Sequence, residues 1–374
     1  MSTTKQNAPF RADIVGSFLR PATLKEARSK FSSGLISAED LQQVENNEIT
    51  KLVRKQKEAG LKVATDGEFR RSYWHLDFFW GFKGINHNVL PQGYLFHGEE
   101  TRADSACIYD KIHFNPEHPF LRHFGFLKSI VDEDITARQT IPAPAQFYAE
   151  LLRDKNKLQA DKIYPDKEEL FHDIREAYRS TILAFYDLGC RNIQLDDCTW
   201  GMLGDQKFWK LMTNGEYSME DLQRDYLRLN NGAIENLPED LTVTTHICRG
   251  NYHSTWAASG GYETVAKKLF GEERVQAYYL EFDTERAGGF EPLRFVPEHK
   301  KVVLGLITTK KPELENEGYI RQRITEASQY VPLDRLYLSP QCGFASTEEG
   351  NILTEEEQWK KIALVCTIAK EVWG

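Results

Sequence analysis

Eight times along the chain a short, mostly apolar run breaks off into polar, reactive side chains, and this recurrence narrows the fold more than any other feature of the sequence. The runs are ADIVGS (12–17), LKVATDGE (61–68), ITARQTI (135–141), RNIQLDD (191–197), LTVTTHIC (241–248), AYYLEFD (277–283), KVVLGLITT (301–309) and RLYLSPQCG (335–343). Strands covered on both faces read as continuous apolar stretches instead of alternating ones, which is the habit of parallel sheets. Between the runs lie helical patterns. SAEDLQQVENNEITKLVRKQKEAG (37–60) has acidic residues in its first turn and Gly60 at its stop; KEELFHDIREAYRSTILAFYDLG (167–189) and TEEEQWKKIALVCTIAKEVWG (354–374) follow the same period. Such alternation predicts an α/β fold on a parallel sheet, and eight strands are the number that closes a (β/α)8 TIM barrel. An open doubly wound sheet is the alternative, weakened because no GxGxxG follows the first run.

Two stretches depart from the alternation. Residues 82–125, rich in aromatics, His, Gly and Pro, are expected to be an insertion after the second strand, a hairpin forming a lid. Residues 198–218 are expected to be a long loop after the fourth strand. In a barrel both would sit at the face where the strand C-termini gather, the usual place for function. No internal repeat or low-complexity linker interrupts the chain, so residues 1–374 read as a single barrel domain with its insertion at about 82–125.

With 41% hydrophobic against 28% charged residues, the chain can bury a sizeable core. A net charge of -9 gives no support for binding nucleic acid. No apolar run approaches the ~20 residues needed to span a bilayer, and MSTTKQNAPFRAD lacks the apolar core of a signal peptide, so a cytoplasmic protein with no membrane partner is expected. The six cysteines (Cys107, Cys190, Cys198, Cys248, Cys342, Cys366) lack disulfide-framework spacing. In a reducing compartment such thiols are buried, catalytic or metal-bound.

A barrel would bring the ends of all eight runs together: Gly16 and Ser17, Asp66 and Glu68, Asp196 and Asp197, His246 and Cys248, Glu281 and Asp283, Thr308 and Thr309, Gln341 and Cys342. His246 and Cys248 are two apart on a strand and project to the same side, as a shared metal requires. Alone, this pair reads more readily as a packed imidazole beside an inert thiol. Cys342 and Glu281, from neighbouring strand ends, complete a set of two thiolates, one imidazole and one carboxylate that suits Zn²⁺. The carboxylate is the ligand to yield when a substrate enters. A zinc already bearing two thiolates activates water poorly but binds thiols well, and it deprotonates a group whose ordinary pKa is ~8.5. Alkyl transfer to sulfur is therefore the expected reaction class. The other four cysteines are expected to be structural, with Cys366 on the apolar face of the last helix.

Taken in order, IVGSFLRP, DGEFRR, IPAPAQF, QLDD, THIC, LEFDTERAG and SPQCGF span nearly the whole chain. In these seven motifs the chain resembles the C-terminal catalytic domain of cobalamin-independent methionine synthase, and most of all the short relatives that lack its N-terminal barrel. The resemblance implies a zinc-dependent methyltransferase in which His246, Cys248, Glu281 and Cys342 hold the metal, with Glu285 as an alternative carboxylate. It also implies that the Gly16–Ser17 loop takes the carboxylate of homocysteine and that Glu68 and Asp196 take its ammonium. The product would be methionine. The implied methyl donor is 5-methyltetrahydrofolate, as the polyglutamate, with methylcobalamin or S-methylmethionine as alternatives.

Two departures from the family pattern bear on mechanism. The family's histidine at the end of strand seven is replaced by Thr308, so His253 is named as a catalytic replacement for the general acid. The absent N-terminal half leaves donor binding to this chain: Arg70, Arg71, Lys310 and Lys311 could face an anionic tail, and Trp200, Trp256, Phe147 or Tyr148 could stack on a pterin. A metal-assisted hydrolase and a structural zinc clamp are the competing readings. Whether the protein is a homo-oligomer stays open.

Overall fold

The computed structural model describes residues 7–212 and 215–374, so the first six residues of the N-terminal stretch and residues 213–214 of the loop at 198–218 lie outside the described residues. Twelve strands are found among the described residues: β1 (Val63–Ala64), β2 (Lys83–Val89), β3 (Leu95–Phe96), β4 (Glu99–Glu100), β5 (Asp104–His113), β6 (Thr136–Ala137), β7 (Gln139–Pro142), β8 (Asn192–Asp197), β9 (Thr242–Ile247), β10 (Ala277–Glu281), β11 (Lys301–Ile307) and β12 (Leu336–Pro340). Strands β7 to β12 form one parallel sheet in sequence order, each paired with the next. Every residue of β8, β9 and β10 is buried, which is why these runs lack polar alternation. The fold is therefore mixed α/β with a parallel sheet.

The earliest expected strands are shorter than their apolar runs. Residues 12–17 contribute a parallel bridge between Ala12 and Leu338, with the Asp13 amide donating to the Leu338 carbonyl at 2.9 Å. The run at 61–68 forms only β1, which pairs in parallel with β6. The run at 135–141 is split at Arg138, whose guanidinium is buried against Asp13 at 2.9 Å. Thr65 donates its hydroxyl to the Gly16 carbonyl at 2.6 Å, and the Phe18 amide donates to Gly67 at 3.1 Å, so the first two segments meet through loop contacts.

The helices begin where their caps require. Ser37 and Asp40 form a capping box at the start of Ala38–Glu58, and Thr354 and Glu357 form another at Glu355–Trp373. Gly60 turns the chain at φ +96° after the first of these. Residues 82–125 contain an antiparallel hairpin of β2 and β5, a small hairpin of β3 and β4 within it, and the first turns of the helix Pro119–Ile130. Residues 198–218 hold the short helices Thr199–Leu203 and Gln206–Met212 instead of an open loop. No helix among the described residues is long and apolar enough to cross a membrane.

Candidate active site

Strand β9 carries His246 as its last residue but one and delivers Cys248 one residue past its end. Cys342 lies two residues beyond β12. One ligand atom from each of these three buried residues falls within 4.8 Å of the other two. A hydrogen bond orients the imidazole toward the sulfurs: Nδ1–H donates to the Tyr279 carbonyl at 3.3 Å, which leaves Nε2 as the free lone pair. Nε2 is buried and has no hydrogen-bond partner among the described residues.

The three residues fit a soft divalent ion. In the protein alone, Cys248 is held well above its ordinary thiol pKa by the hydrogen bond with Cys198 and by burial. Cys342 is raised too, by its hydrogen bond with Cys248 and by burial. Crowded sulfurs in a dry site cannot all ionise unless a cation compensates, and a bound divalent ion reverses that preference.

The carboxylates expected beside them divide differently. Glu281 is fully buried: Oε2 accepts the Arg249 amide at 2.9 Å, while Oε1 faces Arg286 as an ion pair and has no hydrogen-bond partner among the described residues. Burial opposes its charge, yet Arg286, Lys310 and Arg249 outweigh burial and leave its pKa below the usual carboxylate value. Its oxygens are not among the clustered ligand atoms. Glu285 is exposed on the short 3₁₀ turn Glu285–Ala287, away from the cluster.

A fourth sulfur joins the three ligand candidates instead. Cys198 Sγ lies 3.0 Å from Cys248 Sγ, and Cys198, Cys248 and Cys342 pack as one buried cluster. Cys198, expected from the sequence to be a structural thiol, stands beside a ligand candidate because β8 and β9 are adjacent and the residues just past their ends meet. Cys190 and Cys366 do behave as packing thiols: Cys190 is fully buried and Cys366 packs partly buried against the core.

A cleft of about 740 Å³ opens over this cluster, lined among others by Ser17, Glu68, Asp196, His246, Cys248 and Cys342. Glu68 and Asp196 are 3% and 7% exposed, and both carboxyl pKa values are raised. Burial is the larger cause for both, with Arg71 opposing it at Glu68 and the Glu68 charge adding to it at Asp196. Glu68 Oε1 accepts from Thr140 at 2.9 Å, while Oε2 is buried without a partner among the described residues. Two buried carboxyls, one with an unsatisfied oxygen, thus share this wall of the cleft.

Ser17 sits against Gly343, where a Cβ would stand only 1.9 Å from the serine Oγ. Gly16 does not line the cleft. It packs behind Ser17, where a Cβ would meet the Thr140 methyl at 2.7 Å, so its role is to let the loop approach β7.

His253 is not in the cleft wall either. It occupies a two-residue turn with Ser254, both at positive φ (43° and 65°), between the paired Tyr252 and Thr255. Its ring stacks on Tyr252 and its Nδ1 lies 3.4 Å from Glu99.

The donor-binding candidates are mostly occupied. Arg70 pairs with Glu45 at 2.6 Å, Arg71 bonds Thr140, and Lys310 donates to Asn251 at 2.8 Å. Trp200, Phe147 and Tyr148 are buried core, and Trp256 stacks on His97. The aromatic wall of the cleft is instead Tyr73, Trp74, His75, Tyr94 and Phe96. The only signal for it in the sequence is the aromatic run SYWH (72–75) inside an otherwise polar turn.

Fold and site together define a parallel α/β protein in which a buried nitrogen–sulfur donor set opens on a cleft that also carries two buried carboxyls. The family model for the cobalamin-independent synthase catalytic domain matches residues 10–85 and 159–364, and the chain belongs to that family. The uncharacterized protein YxjH of Bacillus subtilis is 48% identical over 373 residues, spanning 99% of this chain and 97% of that protein. A Listeria monocytogenes structure, of a protein proposed to be a vitamin-B12 independent methionine synthase, is 41% identical, covers 99% of both chains and superposes with a TM-score of 0.79. A B12-independent methionine synthase from Shewanella sp. W3-18-1 shares the fold at 18% identity, with a TM-score of 0.71 over 98% of both chains.

Proposed function

We propose that this protein is a zinc-dependent methyltransferase that converts homocysteine to methionine, built as one (β/α)8 barrel domain over 1–374 with the β2–β5 hairpin as its insertion. One observation carries the reading: His246, Cys248 and Cys342 converge within 4.8 Å on a cleft that also holds Glu68 and Asp196. Closure of the sheet into a barrel is supported by the Ala12–Leu338 bridge at one edge, the β1–β6 pair at the other, and the loop contacts between residues 16–18 and 65–67.

His246, Cys248 and Cys342 would hold Zn²⁺, with Glu281 as the exchangeable fourth ligand. The chemistry such an ion supplies is acidification of an incoming thiol, which makes it a nucleophile at neutral pH. Arg286 gives Glu281 a partner whenever it is not a ligand, so yielding its place does not strand a buried charge. Glu68 and Asp196 bind the substrate ammonium, and the Ser17 loop faces its carboxylate. With the amino acid held at both charged ends, the sulfur is fixed in direction toward the methyl group, and positioning supplies much of the acceleration. The methyl donor we favour is 5-methyltetrahydrofolate.

The presence of two cysteines among the clustered ligands argues against a water-activating hydrolase, whose sites keep harder ligands and an open position. The test is cobalt-substituted protein titrated with homocysteine. A change in the thiolate-to-cobalt absorption is expected, and an unchanged spectrum would remove the proposal. Parallel assays with methyl-folate, methylcobalamin and S-methylmethionine identify the donor.

A further inference from the structure

A second incompletely bonded imidazole lies in the cleft, outside the ligand cluster. His75 is 3% exposed and lines the same cleft as Cys248 and Cys342. Its Nε2 is 2.8 Å from the Tyr94 hydroxyl. That hydroxyl donates to Glu150 Oε2, and Glu150, 1% exposed, is held in turn by Arg153 at 3.2 Å and by Ser105. A phenol has one proton. Because Glu150 takes it, Tyr94 can only accept from His75, which puts the imidazole proton on Nε2 and leaves Nδ1 a bare lone pair.

Nδ1 is buried without a hydrogen-bond partner among the described residues. An orphan acceptor in such a place is disfavoured unless a ligand satisfies it. The charged and titratable groups around the ring are Tyr73, Tyr94, Glu150 and Arg153. Burial, then Arg153, keeps the imidazole well below its ordinary pKa, and burial, then Glu150, keeps Tyr94 well above its own. At neutral pH both are uncharged, so His75 is a base first and an acid second. Tyr94 and Glu150 both lie in 86–158, outside the residues that the family model matches.

We propose that His75 is the catalytic proton carrier of the transfer, with Tyr94 and Glu150 as the positioning residues that fix its tautomer and leave Nδ1 the basic nitrogen. This rests on the methyl-transfer reading and supplies the group that reading lacks now that His253 is outside the cleft. The thiol S–H bond breaks and its proton passes to Nδ1. Sulfur then forms a bond to the methyl carbon as the carbon–nitrogen bond of the donor breaks, with its electron pair staying on nitrogen. That nitrogen takes the proton from Nδ1, and the imidazole returns to its starting tautomer. The sum is a thiol plus an N-methyl amine giving a methyl thioether plus an N–H amine, with no oxidant or reductant. A sulfonium donor departs as a neutral thioether and takes no proton, so with such a donor Nδ1 still accepts the thiol proton but releases it to water, and only amine donors need His75 as an acid as well.

The test uses the full, metal-loaded chain. His75→Gln keeps an amide N–H toward Tyr94 and deletes the Nδ1 acceptor. With homocysteine and methyl-folate its kcat is expected to fall about a hundredfold or more, the usual scale of general acid–base catalysis. Thiol affinity, read from the cobalt absorption band, should stay within about twofold of wild type, because general acid–base catalysis acts on proton transfer in the reacting complex and not on binding the thiol. Tyr94→Phe should lower kcat less, about tenfold, and displace the pH profile, because the ring then loses the acceptor that selects its tautomer. Nitrogen-15 NMR of wild-type protein should show His75 protonated at Nε2, and a proton on Nδ1 would overturn the inference without any variant. Unchanged turnover in His75→Gln, or a parallel loss of thiol affinity, overturns it as well. A wild-type protein that binds thiol but transfers a methyl group from no donor overturns the methyl-transfer reading and this role together, a failure visible before any substitution is made.

Discussion

Glu68 is a non-glycine residue at φ +61°, directly after Gly67 at φ +67°, and it is buried in the cleft wall. A left-handed side-chain-bearing residue is disfavoured by about 1–3 kcal/mol, and such residues persist where the surroundings over-determine them, as the Thr140 and Arg71 contacts do here. Single atoms likewise decide the other half of the substrate pocket. Gly343→Ala would drive a methyl into Ser17, so KM for the amino acid is expected to rise about tenfold or more with the metal content unchanged, measured by steady-state kinetics and metal analysis. Cys342→Ser is expected to do the reverse, lowering metal content and abolishing turnover while the circular dichroism spectrum is kept, since serine nearly matches the side chain in size and removes the sulfur donor. At this scale His246, Cys248 and Cys342 were legible, because an i, i+2 spacing at a strand end fixes direction and the strand order fixes neighbourhood. Cys198 was not, because its 3.0 Å approach to Cys248 depends on how the chain turns after β8. The resting partner of Glu281 was equally hidden, since Arg286 reaches it through a 3₁₀ turn that has no periodic signature.

Among the elements, the helix Pro119–Ile130 shows how a buried histidine ties stability to pH. His118 caps its start: Nδ1 accepts the Phe120 amide at 3.2 Å and Nε2–H donates to the Phe78 carbonyl at 3.0 Å, so only the neutral ring satisfies both. Burial lowers its pKa from 6.5 to about 4. Between these values the unfolded chain takes up a proton that the folded chain refuses, so this stability is present above pH 6.5 and is lost as pH falls toward 4. The loss is on the order of 3 kcal/mol. His118→Asn, which keeps a capping acceptor and cannot titrate, is expected to flatten the slope of the urea midpoint over that window. The long amphipathic helices were legible to within a residue or two because their caps and apolar period act locally. The stretch at 82–125 was legible as an inserted hairpin, but not its two nested pairs, which depend on a long-range register that alternation over a few residues does not specify.

Over the whole molecule, a fully buried ion pair joins distant parts of the sheet. Arg138, in the break between β6 and β7, meets Asp13 from the first segment at 2.9 Å, and Tyr279 on β10 donates its hydroxyl to the same aspartate at 2.8 Å. Arg138→Met would leave Asp13 buried and unpaired, at an expected loss of about 3–5 kcal/mol. Adding Asp13→Asn should recover much of that loss, and chemical denaturation of the single and double variants checks both statements. By itself the sequence determined the parallel α/β class, the order of the strands and the meeting of His246, Cys248 and Cys342, since burial on both faces and the period of two are written into each run. The tertiary structure decided which carboxylates stay free, which cysteine joins the cluster and which histidine faces the cleft. Those outcomes rest on contacts between loops far apart in the chain, whose partners are selected by packing and charge once the sheet has brought their ends together.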